Sequence, residues 1–500
     1  MAAQAQGIAG APAATRPAVR GPSEAELLSR RSLRPGVRLA CAYGWLFAMG
    51  ALIDVSADGK AMMLIGSTFL ATVLVCAVVH PRWYLPLVVA YLPFSRAYPL
   101  PVAGLTGANM TNFLMAAGLL AWLVSRQRQR PRLRFGATER LAVLFVAVAS
   151  LSVIPAYLAE KEPVELLLSY RTWVAPILFY FLARGLVRDR EDVRGILQVL
   201  VWTAFLVAAC TWKEGIDRGD RGSIDSSRVA GLMQQANSMG AFLAYYGVPL
   251  LAFAVTARPR RRGLPYLLAF LVAARAVLFT FSRGAYLSLM AGSATVLLFG
   301  NPLVLATAGG GGLLAAAAFP TLIPDSVRAR MGESPLMGSF DPGREEPTST
   351  LDKSSALRVV IWRGALRMIA AHPLQGVGVG RFGSEITEYA DYQFGPEDPR
   401  DAHNAYLLVA AEMGLPSAAL LLLLFAAWGA GALRIYFRGR HPIDRRLSLV
   451  FLGTLAGVLV SCTLGSRFSD EALIGGFWIL AALVGVVARL RPPLRVRGLA

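Results

Sequence analysis

Three arginines and one histidine stand apart from the other polar residues of this chain because of where they fall. Arg228 lies in R-V-A-G-L-M-Q-Q-A-N-S-M-G, Arg283 in F-T-F-S-R-G-A-Y, and Arg358 opens a helical pattern in a long polar interval. Each guanidinium offers a rigid, planar set of donors that matches the oxygens of a phosphate, and a diphosphate gives such a group several oxygens to grip. His403, in D-A-H-N-A-Y, stands where that interval ends and an apolar run begins. An imidazole there can take a proton from an attacking hydroxyl or donate to a leaving phosphate. The other reading of each arginine is headgroup contact or a structural ion pair, and of His403 a structural role at a helix start.

The elements that hold these residues are read from hydropathy. The chain has 500 residues, of which 55% are hydrophobic and only 16% charged, and its mean hydropathy is positive. Apolar runs of about 18 to 25 residues recur along it, which predicts an all-α, polytopic helical bundle and excludes a soluble multidomain protein. Fourteen candidate segments begin near residues 39, 61, 83, 109, 140, 171, 193, 236, 264, 285, 302, 405, 447 and 472. The third is short and Pro-broken and the eleventh is Gly-rich, so about 12 to 14 transmembrane helices are expected.

The formal net charge of +19 is distributed as short basic clusters between apolar runs. That is the positive-inside pattern, and it argues against nucleic acid as a partner. With both termini cytoplasmic, the basic loops at 126–140, 184–194, 258–262 and 434–446 fall inside. The segments 213–232, 282–284, 324–404 and 467–471 then fall outside, which places all three arginines and His403 on one face of the membrane. Residues 1–38 read as a disordered cytoplasmic tail, 39–323 and 405–488 as transmembrane regions, 324–404 as one large periplasmic loop, and 489–500 as a basic cytoplasmic tail.

Within the large loop, residues 332–356 have linker composition. Residues 356–371 form an amphipathic helix with Leu357, Val360, Ile361, Leu366, Met368 and Ile369 on its apolar face and Arg363 and Arg367 on another, suited to the membrane interface. His372-Pro373 stops it, and Gly376, Gly378 and Gly380 allow a tight return. The histidines His80 and His441 border cytoplasmic loops, and His372 has turn duty. Arg275 falls in the ninth apolar segment, where a structural pairing and a substrate contact both fit. The cysteines Cys41, Cys76, Cys210 and Cys462 have no metal or redox spacing and read as packing residues. No Walker loop, H-E-x-x-H or G-x-S-x-G is present, and no metal site or cofactor is expected. A transporter or lipid-linked saccharide flippase is the rival class, although no internal repeat of the transporter kind is found.

The run R-V-V-I-W-R-G-A-L-R-M-I-A-A-H-P-L-Q-G-V-G-V-G-R-F, followed by H-N-A-Y and E-M-G-L-P, resembles the core of the bacterial O-antigen ligase and polymerase family. S-R-G-A at 282–285 and R-V-A-G with Asn237 match in kind and order, so the likeness covers about residues 228–420. It implies an inner-membrane, metal-independent glycosyltransferase that moves a glycan from undecaprenyl diphosphate to an acceptor at the periplasmic face. The acceptor would be a growing glycan or a lipid A core, with membrane lipids and other polysaccharide assembly proteins as further partners. Carried over by residue, Arg228, Arg283 and Arg358 would bind the diphosphate, and His403 and Arg283 would be catalytic. Asn404 would orient His403, and Asn237 and Glu412 would support the site. Ser417 stands where ligases of this family tend to carry Gly or one of a few other residues, and polymerases share most of these motifs, so both activities stay open.

Overall fold

Asp189 begins one of the longest helices of the protein by capping it: its carboxylate accepts from the amides of Glu191 at 3.0 Å and Asp192 at 2.9 Å, filling donors that a helix start leaves orphaned. Such local rules build the whole chain from helices. The computed structural model describes residues 59–97, 110–129, 135–159, 162–219, 227–307, 309–310, 353–395 and 400–490, within one compact unit, Ser56–Ala500. Its helices are α1 Gly59–Val79, α2 Tyr84–Tyr91, α3 Met110–Gln129, α4 Ala137–Ser150, α5 Val153–Leu158, α6 Pro163–Leu186, α7 Arg190–Arg218 and α8 Ala236–Thr256. Then follow α9 Leu264–Leu278, α10 Arg283–Gly300, α11 Lys353–Ala371, α12 Phe382–Tyr389, α13 Ala405–Arg438, α14 Pro442–Thr463 and α15 Glu471–Arg489. No strand occurs among the described residues.

The protein is a polytopic helical bundle. Among the described residues, 7 helices are long and apolar enough to cross a membrane: α4 with α5, then α6, α7, α8, α13, α14 and α15. Some of the fourteen expected segments fall outside this count. The segments at 39–55 and most of 302–323 lie outside the described residues, as do the linker at 332–352, the tail at 1–38 and residues 491–500 of the basic tail. α2 has only 8 residues because His80-Pro81 and Leu92-Pro93 bound it, and α9 stops after 15 residues. At 1.5 Å per residue α9 reaches about 22 Å, short of the roughly 30 Å hydrocarbon core.

α8 and α15 are buried along most of their length, while α4 and α5 expose most of theirs. That contrast separates the interior of the bundle from its rim. α8, α10 and α14 form the centre and approach closely through small residues. A Cβ added at Gly292 would lie 2.8 Å from the carbonyl oxygen of Gly453, and one at Gly453 would lie 2.6 Å from Val248. Ser288 donates to the carbonyl of Gly457 at 2.6 Å, and Thr454 to that of Tyr245 at 3.1 Å. Gly453→Val is therefore expected to force the three helices apart and to lower stability by about 1–3 kcal/mol. Thermal unfolding in detergent checks this, and an unchanged midpoint would show that the crossing tolerates a side chain.

At the end of the bundle formed by the starts of α4, α7 and α14 and the close of α15, buried ion pairs tie helices together. Arg184 and Arg489 both bind Glu139, at 2.6 and 2.9 Å, and Arg190 binds the buried Asp444 at 2.8 Å. Of the described cysteines, Cys462 is buried, Cys76 intermediate and Cys210 exposed, so the packing role expected of Cys210 does not hold. Arg275 sits in the last turn of α9 over the ring of Phe279, 4.0 Å from its centroid. This is the structural alternative of the two that its sequence position left open.

Candidate active site

α11 runs over the residues expected from its pattern. Leu357, Val360, Ile361, Met368 and Ile369 are buried, whereas Leu366 is 57% exposed and shares the outer face with Arg363 and Arg367. The expected apolar face is thus one residue too broad, because the stripe that meets α13 and α12 is narrower than the hydrophobic pattern suggested. Arg367 pairs with Asp391, and His372 Nε2 lies 3.1 Å from the hydroxyl of Tyr389, so both serve to fold the loop back on itself.

The glycine run that follows has a structural purpose. Gly414 breaks α13 with φ of 80°, a left-handed conformation that favours glycine. A Cβ there would lie 2.1 Å from the carbonyl oxygen of Leu374. The break deprives the carbonyls of Ala411 and Glu412 of their usual helical donors, and Pro416 has no amide to give. Val377 and Gly378 supply the missing amides, donating to Ala411 at 2.9 Å and to Glu412 at 3.1 Å, while Leu415 donates to Pro373 at 2.8 Å. The Glu412 side chain accepts from the Phe382 amide at 3.1 Å and is buried. H-P-L-Q-G-V-G-V-G and E-M-G-L-P are therefore one interlocked unit, and the Glu412 side chain fixes the loop within it.

That unit holds up the start of α13. Asn404 caps it, its side chain accepting from the amides of Tyr406 at 3.0 Å and Leu407 at 3.1 Å. Asn404 was expected to orient His403; its carboxamide oxygen is engaged by the helix start. Asp401 meets the imidazole, with Oδ2 3.2 Å from His403 Nδ1. Trp362 of α11 donates to the carbonyl of Ala402 at 2.8 Å and ties the turn to the loop helix. His403 itself has φ of 46°, a conformation uncommon outside glycine that persists only where surroundings impose it.

The three arginines converge. Arg228, Arg283 and Arg358 line one cavity of about 90 Å³, together with Asn237, Ser282, Ser461 and Arg467. This is room for several waters and so for a small oxyanion group. Among the described residues, four arginines line it. Arg228 is positioned by Asn237, whose Oδ1 accepts at 2.6 Å, and by the carbonyl of Thr280 at 3.1 Å. Arg283 is the first residue of α10, so that helix presents its amides and positive dipole end near the same space. Phe281, just before it, has φ of 48°, a genuine outlier for so bulky a residue. Arg467 is held by Gln235 and Ser238, both at 2.9 Å.

His403 is not part of the cavity wall, but it feels its charge. Burial lowers its pKa from 6.5, Asp401 opposes the fall, and the positive charges of Arg358 and Arg467 add to it. The imidazole is thus kept neutral at neutral pH. The Asp401 contact favours the tautomer with the proton on Nδ1, which leaves Nε2 able to accept one.

Residues 268–422 match the model of a family described as O-antigen ligase. Over those residues the chain is similar to that family. The match begins inside α9 and ends inside α13, and it contains Arg283, Arg358, His403, Asn404 and Glu412. Arg228, Asn237 and Arg467 lie outside it yet share the cavity, so the cavity extends beyond the matched residues. No curated protein matches the chain. The ligase domain implies a glycosyl-transferring enzyme with a lipid-linked glycan and an acceptor as substrates.

Proposed function

We propose that the protein transfers a glycan from undecaprenyl diphosphate to an acceptor hydroxyl at the periplasmic face of the bacterial inner membrane, as an O-antigen polymerase or ligase. The observation that carries this reading is the gathering of four arginines round one cavity, two of which, Arg358 and Arg467, act electrostatically on His403. A diphosphate leaving group develops negative charge as its bond to the anomeric carbon breaks. Preorganised donors aimed at that charge lower the barrier without reorganising. Arg228, Arg283, Arg358 and Arg467 would hold the diphosphate oxygens, and the charge they supply would do the work that a metal ion does in other transferases.

The acceptor oxygen forms the new bond to the anomeric carbon while the carbon–phosphate oxygen bond breaks. His403 Nε2 takes the hydroxyl proton, and the lipid diphosphate departs with the electron pair of the broken bond. Direct displacement predicts inversion, so an α-linked donor gives a β-linked product. A growing glycan as acceptor makes the enzyme a polymerase, and a lipid A core makes it a ligase.

Glycan analysis of a strain whose chromosomal copy carries His403→Ala, at matched protein level, decides between them. Accumulation of single lipid-linked repeats, with no long chains, is the polymerase result; long lipid-linked chains that never reach their carrier are the ligase result. Unchanged glycans would remove the transferase reading and reopen that of a flippase. In a membrane assay of the purified protein, transfer is expected to persist at an unaltered rate with a chelator present, and loss on chelation would overturn the metal-independent part.

A further inference from the structure

A second cationic cavity lies at the other end of the bundle. α14 has its last residues at the site described above and its first residues here, and its 22 residues span about 33 Å. The cavity, about 410 Å³, is bordered by the end of α13, the start of α14, the end of α15 and the start of α7. That volume falls within the roughly 300–1,000 Å³ of small-molecule sites. Two kinds of wall meet in it. Arg434, Arg438 and Arg440 provide the charge, and Ile435, Val487 and Leu490 an apolar side.

The charge at this site is not internally balanced. Arg190 also lines it but is neutralised by Asp444, through paired contacts of 2.8 and 3.1 Å. Among the described residues, no ion pair joins Arg434, Arg438 or Arg440 to a carboxylate, and all three are exposed. The neighbouring basic residues are otherwise engaged: Arg445 lies over the ring of Tyr436 and Arg446 donates to Thr256. A surface serving only to bias insertion needs positive residues near the span ends. It does not need three of them around a hollow with an apolar wall.

We propose that this cavity binds the phosphodiester headgroup of an anionic membrane lipid. The guanidinium groups meet the phosphate oxygens, and Ile435, Val487 and Leu490 face the first carbons of the acyl region. The position at the ends of spanning helices, where lipid headgroups lie, and the apolar wall favour a lipid over a free phosphate compound. The site is independent of the transferase reading, since it shares no residue with the other cavity.

The test uses the full chain purified in neutral detergent, titrated with fluorescent phosphatidylglycerol and read by anisotropy. A basic side chain near an anionic lipid contributes about fivefold in affinity. Combined Arg434→Gln, Arg438→Gln and Arg440→Gln should therefore weaken binding roughly a hundredfold, while labelled phosphatidylcholine should bind both proteins weakly and equally. Should the triple variant not fold, the single variants decide, each with an expected loss of about fivefold. Unchanged affinity in these variants overturns the proposal. So does displacement of the lipid by equimolar glycerol phosphate, which would assign the cavity to a water-soluble phosphate compound.

Discussion

His403→Ala is expected to lower glycan transfer by about 10²–10⁴-fold at matched protein level, the usual contribution of a positioned base. Two features of the site argue that this loss is chemical. The start of α13 is fixed by Asn404, whose cap contacts do not involve the imidazole. The preceding turn is fixed by Trp362 through the Ala402 carbonyl. Removing the ring therefore leaves the helix start and the arginine cavity in place, so donor binding should survive while turnover falls.

The pH profile separates the base from a merely structural histidine. Nε2 accepts a proton only while the ring is neutral, so activity is lost as pH falls through the His403 pKa. Burial, with Arg358 and Arg467, lowers that pKa from 6.5, and the acid limb of the rate profile should accordingly lie below the usual histidine value. Asp401 raises the pKa. In Asp401→Asn the limb should move further down and the maximal rate should fall, because the contact that favours Nδ1 protonation is weakened. An acid limb unmoved by Asp401→Asn would exclude His403 as the group that titrates.

Much of this site was legible in the chain because topology constrains it strongly. Arg228, Arg283 and Arg358 were singled out among the arginines of segments expected outside the membrane, and the structure brings the three to one cavity. The same expectation reaches Arg467, which stands in the segment 467–471, but no motif surrounds it. Only the packing of α14 and α15 against α8 shows that it meets the other three. A residue beside a histidine in sequence need not face it in space, and Asn404 illustrates this. The cap geometry turns its side chain to the helix, and Asp401, two residues before His403, reaches the ring instead. The glycines were legible as a turn, but not as the partners of a broken helix far along the chain, where Val377 meets Ala411 and Gly378 meets Glu412. That pairing depends on Pro416 lacking an amide and Gly414 lacking a Cβ, which are facts of two distant segments taken together. Hydropathy registers an apolar run without registering where prolines cut it short, as at α2.

The second large effect is expected at Arg283. Arg283→Ala should reduce transfer by about 10²–10³-fold, the range found when one preorganised donor to a developing anion is removed. Arg228 is a poorer test of the same idea, because its guanidinium also bridges Asn237 and the Thr280 carbonyl, and its loss would loosen the approach of α8 to α9. Arg283 starts α10 and lines the cavity directly, so its removal acts on the charge presented to the ligand. Arg283→Lys discriminates charge from shape. A lysine keeps the positive charge but presents a point donor in place of a planar fork, so partial recovery of rate would assign both features a share. Recovery to the original rate would reduce the role to bulk electrostatics, and a fully active Arg283→Ala would remove this residue from the leaving-group site. Measured as kcat/KM against kcat, a loss mainly in kcat is the expected signature. The charge on the diphosphate grows as the glycosidic bond breaks, and a group placed for that charge acts more strongly in the transition state than on the bound donor.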